Sequence, residues 1–202
     1  MRRLLVASRN RKKLAELSRV VAHAGLSGLQ PVSLDDVEPY PEAPETAATF
    51  EGNALAKARD GYNATGLPCV ADDSGLTVEA LNGMPGVLSA RWSGSHGDDA
   101  ANTALLLAQL RDVPDGRRGA AFVSACALVW GDGPEHELVV RGQWAGRIAR
   151  EPHGQGGFGY DPVFIPAGGD RTAAQLSPAE KDAESHRGRA LQLLLPALRA
   201  LA

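Results

Sequence analysis

The run Val70-Ala71-Asp72-Asp73-Ser74-Gly75-Leu76 sets two carboxylates and a hydroxyl at the end of a short apolar stretch, just before a glycine. Carboxylates placed this way suit a hard cation such as Mg²⁺ and the orientation of a water molecule. Asp, Ser and Gly are also turn formers, so a β-turn is the competing reading. The choice turns on how many other phosphate-handling segments the chain carries.

Ser8-Arg9-Asn10-Arg11-Lys12-Lys13 falls where a first strand meets a first helix. Amides at a helix start, with Ser and Asn side chains and a Lys, form a natural phosphate site. An N-cap followed by a solvated basic turn explains the same residues. The glycines of a P-loop are absent. Gly154-Gln155-Gly156-Gly157-Phe158-Gly159 matches G-x-G-x-x-G, but Pro162 and a β-like run follow where a dinucleotide fold needs a helix. Its glycines still allow close backbone approach, Phe158 and Tyr160 suit stacking on a base, and Asp161 can accept from the base edge. A tight loop carrying two core aromatics is the alternative.

Lys181, Ser185, His186 and Arg187 cluster near the start of the last helical region, where Arg187 can offer a fork to a phosphate or carbonyl oxygen. A solvated polar face is the plainer account. Glu42, Glu45 and Glu51 bracket a loop and the next helix start, and one of them could complete an oxygen-rich metal site. Asn53 and Lys57 lie one helical turn apart.

The elements that must position these residues follow from periodicity. Leu4–Ala7 predicts a buried strand, and a helix from about Arg11 carries Leu14, Leu17, Val21 and Ala24 on one face, with Gly25 as its stop. The Pro- and acid-rich stretch 34–46 predicts a loop, Thr49–Tyr62 a second helix, and Pro68–Ala71 a strand. Residues 76–93 read as irregular, and 99–110 as helical. Ala121–Trp130 and Leu138–Ile148, separated by Gly131-Asp132-Gly133-Pro134, predict an antiparallel hairpin. Ser177-Pro178-Ala179-Glu180 is a capping box, and either Gly188 or Pro196 could interrupt the helical tail. Strand, turn, helix at the start and a hairpin later make an α/β chain with a mixed sheet.

With 202 residues, 44% of them hydrophobic, the chain can bury a sizeable core and is expected to form one domain spanning 1–202, in two lobes around a cleft. A net charge of −3 argues against a general nucleic-acid binder. No stretch approaches the roughly 20 apolar residues of a membrane span. The short apolar run at the N-terminus is cut off by basic residues, unlike a signal peptide. Cys69 and Cys126 lie in strand-like runs and read as buried thiols of a reducing compartment, so a cytoplasmic location is expected.

Taken in order, these segments resemble the Ham1-like family of inosine/xanthosine triphosphate pyrophosphatases. The resemblance rests on Ser8-x-Asn10-x-x-Lys13 with Glu16, Thr49-Phe50-x-x-Asn53-Ala54-x-x-Lys57-Ala58, and Ala71-Asp72-Asp73-Ser74-Gly75-Leu76. It continues through Pro85-Gly86 with Ser89-Ala90-Arg91, Gly156-Gly157-Phe158-Gly159-Tyr160-Asp161-Pro162, and Glu180-Lys181 with Ser185-His186-Arg187 and Ala190-Leu191. Ser8 stands where the family usually has Thr, and Gly52 where it usually has Glu, so Glu45 or Glu51 must supply that carboxylate.

The resemblance implies an elongated mixed sheet with helices on both sides of a central nucleotide cleft, and a homodimer. It implies Mg²⁺-dependent conversion of a deaminated purine nucleoside triphosphate to the monophosphate and pyrophosphate. It assigns Asp73 as metal ligand and proton acceptor with Asp72 as its acidic neighbour, and Glu45 as the second metal carboxylate. Ser8, Arg9, Asn10, Arg11, Lys12, Lys13 and Ser74 would take the triphosphate. Phe158, Gly159, Tyr160 and Asp161, with Lys181, His186 and Arg187, would surround sugar and base. A buried donor such as Arg187 or a backbone N–H would pair with the 6-oxo group of hypoxanthine or xanthine and stay unsatisfied against the amino group of adenine. Rival readings are a Maf-like pyrophosphatase, an aspartyl phosphomonoesterase, for which no D-x-D-x-T pattern is present, and a nucleotide-binding regulator without turnover.

Overall fold

The computed structural model describes residues 1–42, 44–177, 180–181 and 184–202, with Arg11 and Lys12 as backbone alone. In chain order it contains β1 (Arg2–Val6), α1 (Arg11–His23), β2 (Leu29–Val32), α2 (Phe50–Thr65), β3 (Cys69–Val78) and α3 (Asp99–Gln109). Then come β4 (Gly119–Val129), β5 (Glu137–Ile148), β6 (Phe164–Pro166) and α4 (His186–Leu201). The strands form one sheet in the order β2-β1-β3-β4-β5-β6. β1 runs parallel to both β2 and β3, and β5 is antiparallel to β6, so the sheet is mixed as expected.

Contacts divide the chain into two compact units, Met1–Asp73 with Ser124–Gly142 and Arg187–Ala202, and Ser74–Val123 with Gln143–His186. The first unit packs Leu4, Val6, Leu17, Val21, Val70, Leu128, Leu191 and Leu194 into one core. The apolar faces of α1 and α4 follow helical spacing and meet the buried residues of β1 there. The second unit has its own core of Leu76, Val78, Leu106, Phe122, Trp144, Tyr160 and Phe164.

The principal departure from expectation is β3. The strand does not stop at Ala71 but continues through Asp72-Asp73-Ser74-Gly75 to Val78. The turn preference of these residues is overruled because Leu76 and Val78 are fully buried further along and hold the chain extended. Gly75 fits a strand here for a steric reason: a β-carbon would collide with the Ser89 hydroxyl. That hydroxyl accepts the Leu76 N–H at 2.8 Å.

Other boundaries have local causes. Thr49 caps α2 by accepting the Gly52 N–H at 3.1 Å, and Gly66 ends the helix with φ +67°. The turn after β4 returns the chain within seven residues, too few for a parallel crossover between these neighbouring strands, and Trp130 N–H donates to the His136 carbonyl at 3.1 Å across it, as an antiparallel hairpin requires. The capping box closes through Ser177 N–H to Glu180 (2.8 Å) and Glu180 N–H to Ser177 (3.3 Å); Pro178 and Ala179 lie outside the described residues. Neither Gly188 nor Pro196 interrupts the tail; α4 contains both, and the break falls at Ser185 instead. Core packing of Leu191, Leu194, Leu195 and Leu198 carries the helix across the proline.

Candidate active site

Successive side chains of a strand point to opposite faces, so the continuation of β3 separates Asp72 from Asp73. Asp72 is clamped by two cations of the first unit. Lys13 Nζ lies 2.8 Å from one carboxylate oxygen, and Arg187 Nε donates to the other at 3.2 Å. Arg187 Nη1 also donates to Glu16 at 2.9 Å. Lys13 and Glu16 are one turn apart on α1, and Arg187 stands in the first turn of α4. Burial works to raise the Asp72 pKa, but Lys13 and Arg187 overcome it and hold the carboxyl well below its ordinary value.

Asp73 has different company. Asn53, from the first turn of α2, donates to Asp73 Oδ2 at 2.9 Å. Burial pushes the Asp73 pKa up, Asn53 and Lys57 oppose the rise, and the nearby charge of Glu45 adds to it. Lys57 is ion-paired with Glu45 and donates to the Asp72 carbonyl at 3.4 Å. Two carboxylates close enough to feel one another, backed by an ammonium, form a hard oxygen donor set that fits Mg²⁺. That ion commonly takes one or two carboxylates and completes its shell with water and phosphate oxygens. No group of three or more His, Cys, Asp or Glu forms a candidate metal cluster among the described residues. Glu51 points its charge elsewhere, to Arg141 at 2.9 Å, which leaves Glu45 as the carboxylate near Asp73.

The segment 8–13 leads into α1, where the N–H groups of Lys13 and Leu14 donate to the Asn10 carbonyl at 3.0 and 3.4 Å and the amides before them have no carbonyl partner within the helix. Ser8 Oγ accepts the Asn10 N–H at 3.2 Å, and Arg9 Nε donates to Glu42 at 2.9 Å. The side chains of Arg11 and Lys12, assigned to the triphosphate, lie outside the described residues.

Ser74, Phe158, Gly159, Tyr160, Asp161, Lys181 and His186 belong to the second unit. Asp161 is buried and accepts the Phe158 N–H at 2.8 Å while pairing with Lys181. Gly157 has φ +79°, and a β-carbon there would strike this carboxylate. Lys181 Nζ also lies 5.1 Å from the centroid of the Phe158 ring, and that ring remains 52% exposed. Gly159 N–H donates to Asp99 at 2.6 Å, a partner sixty residues away that no local signal announced. His186 stacks on Phe122 with centroids 5.2 Å apart.

Two expectations about recognition need correction. Tyr160 is buried in the second core and its hydroxyl donates to the Ser89 carbonyl at 2.8 Å, so its ring is not a surface for stacking. Arg187 is not an open fork for a 6-oxo group, since Nε and Nη1 are already engaged by Asp72 and Glu16. Charge-assisted hydrogen bonds to these two carboxylates occupy that edge of the guanidinium.

The sequence profile of the Ham1 family matches residues 4–197. The chain belongs to the Ham1 family. Among its Ham1 relatives, a dITP/XTP pyrophosphatase of Mycobacterium tuberculosis is 78% identical over 200 residues, covering 99% of this chain and 97% of the relative. A crystal structure of a nucleoside-triphosphatase/dITP/XTP pyrophosphatase from Mycobacterium abscessus is 71% identical, with TM-score 0.82 over 97% of this chain and 99% of that one. A HAM1 protein from Coxiella burnetii, 41% identical, superposes with TM-score 0.91 over 99% of this chain and 100% of that one. The sheet and flanking helices of this Ham1 chain therefore follow the family fold.

Proposed function

We infer that this chain hydrolyses inosine, deoxyinosine and xanthosine triphosphates to the monophosphate and pyrophosphate, clearing deaminated purines from the nucleotide pool. The observation that carries the reading is Asp73, a buried carboxylate whose pKa burial raises, beside Glu45 and next in sequence to the residue that anchors Lys13. Membership of the Ham1 family supports it.

Asp73 and Glu45 would hold Mg²⁺, which when bound neutralises phosphate charge and acidifies water. Asp73 accepts the proton of the attacking water, a role suited to a carboxylate whose basicity burial increases. The new bond forms between the water oxygen and the α-phosphorus, and the bond from that phosphorus to the bridging oxygen breaks. Pyrophosphate leaves with the bond's electron pair. Lys13, Ser8, Asn10 and the first-turn amides of α1 take the triphosphate oxygens, with Arg9, Arg11, Lys12 and Ser74 as further donors. Phe158, Gly159, Asp161, Lys181 and His186 receive sugar and base, with the exposed Phe158 face as the stacking surface. Arg187 serves this site by fixing Asp72, and Tyr160 by fixing the loop from within the core.

The same reading has residues 1–202 acting as one catalytic domain, in a cytoplasmic homodimer, with neither nucleic acid nor membrane as partner. Among the described residues no helix is long and apolar enough to cross a membrane.

The test measures pyrophosphate and orthophosphate release from inosine, xanthosine, adenosine, guanosine and thymidine triphosphates with Mg²⁺. Pyrophosphate from the first two is expected. Orthophosphate, or a preference for thymidine triphosphate, would move the assignment to a phosphatase or a Maf-like enzyme. Binding without any product would indicate a regulator.

A further inference from the structure

Asn53 is 1% exposed, and both ends of its amide are engaged. Oδ1 accepts the N–H of Ala47, two residues beyond Glu45, at 2.9 Å, and Nδ2 donates to Asp73 at 2.9 Å. Only this orientation satisfies both partners, because a backbone N–H cannot accept and an ionised carboxylate cannot donate. The amide is planar and rigid, so one side chain spans the loop bearing Glu45 and the strand bearing Asp73. Gly52, in the first turn of α2, lies against Ala47. A β-carbon on Gly52 would lie 2.7 Å from the Ala47 β-carbon, closer than real β-carbons approach. On this backbone a side chain at 52 and a methyl at 47 exclude one another.

We propose that Asn53 is a positioning residue that holds Glu45 and Asp73 at the separation a divalent cation requires, and that Gly52 keeps Ala47 within its reach. The proposal rests on the assignment of those two carboxylates to Mg²⁺. Partners that orient metal ligands without touching the metal typically contribute 10–100-fold to affinity.

The test titrates Mn²⁺ into the substrate-free full chain by calorimetry, comparing wild type, Asn53→Ala, Gly52→Ala and the double variant Ala47→Gly/Gly52→Ala. Asn53→Ala is expected to weaken metal binding about 10–100-fold. In turnover it should raise the Mg²⁺ concentration giving half-maximal rate while KM for deoxyinosine triphosphate, at saturating metal, stays near wild type. Gly52→Ala should weaken metal binding in the same direction, and the double variant should recover it, because a single methyl then occupies the contact. Native metal affinity in a folded Asn53→Ala protein would reduce Asn53 to a merely structural role and overturn the proposal. If Asn53→Ala does not fold, the Gly52 pair decides: unchanged affinity in Gly52→Ala, or no recovery in the double variant, overturns it equally. A wild-type chain that binds no metal and releases no pyrophosphate would remove the functional reading itself, and the proposal with it.

Discussion

Asp72 and Asp73 are neighbours in sequence and opposites in surroundings. Asp72 faces Lys13 and Arg187, with Glu16 completing a group of two cations and two anions. Asp73 faces a neutral amide donor, and the charges acting on it are mixed, Lys57 against Glu45. Burial acts on both carboxyls in the same direction, yet one ends below its ordinary value and the other above it. Charge neighbours, not depth, separate a carboxyl held ionised from one left more basic. Adjacent carboxyls can meet different partners because a strand turns them to different faces.

The largest effect that would test this contrast is on turnover. Asp73→Asn should lower kcat by about 10²–10⁴-fold, the range for a lost general base, while the protein stays folded by circular dichroism. A variant retaining full rate would transfer the role to another carboxylate.

Asp72→Asn should act first on stability. It leaves Lys13 and Arg187 facing a neutral amide, and removing one partner of a buried ion pair costs about 3–5 kcal/mol. Urea unfolding at neutral pH measures this, and Asp73→Asn should show no comparable loss. Equal losses in both variants would erase the distinction.

The two variants should also respond to pH with opposite slopes. The Asp72 pKa is depressed on folding, so its stabilisation is present above the ordinary value of 3.8 and is lost as pH falls below it. The stability gap between wild type and Asp72→Asn should therefore narrow in acid. The Asp73 pKa is raised on folding, so its cost appears as pH rises above 3.8. Asp73→Asn should gain stability over wild type across that rise. Denaturant midpoints at a series of pH values read both slopes.

A smaller effect is expected at Cys126, which lines the same small cavity as Lys13, Asp72 and Arg187. Burial, then the charge of Asp72, pushes its thiol up to about 12; Cys69 reaches about 12 chiefly through burial. Neither thiol should react with an aromatic disulfide in the native protein at pH 8. Asp72→Asn should make Cys126 modestly more reactive, whereas Asp73→Asn should not.

Much of the site was legible along the chain. Lys13 and Glu16 at helical spacing, Asn53 and Lys57 one turn apart, and Thr49 before Phe50 all behave as local patterns require. The continuation of β3 was not legible, because turn-forming residues there are held extended by Leu76 and Val78. The burial of Tyr160, the engagement of Arg187 and the tie from Asp99 to Gly159 depend on residues far off in sequence. No periodicity encodes such meetings.

By itself the sequence determined the α/β class, the inventory of carboxylates, lysines and glycines, and their order along the chain. These follow from spacing and side-chain chemistry, which are local. Only the tertiary structure decided which aspartate is clamped by cations and which is left basic beside Glu45. That choice depends on the register and face of β3 and on where α1, α2 and the first turn of α4 bring their side chains. Local preferences in strands amount to about 1 kcal/mol, and burial and charge pairing across distant segments outweigh them.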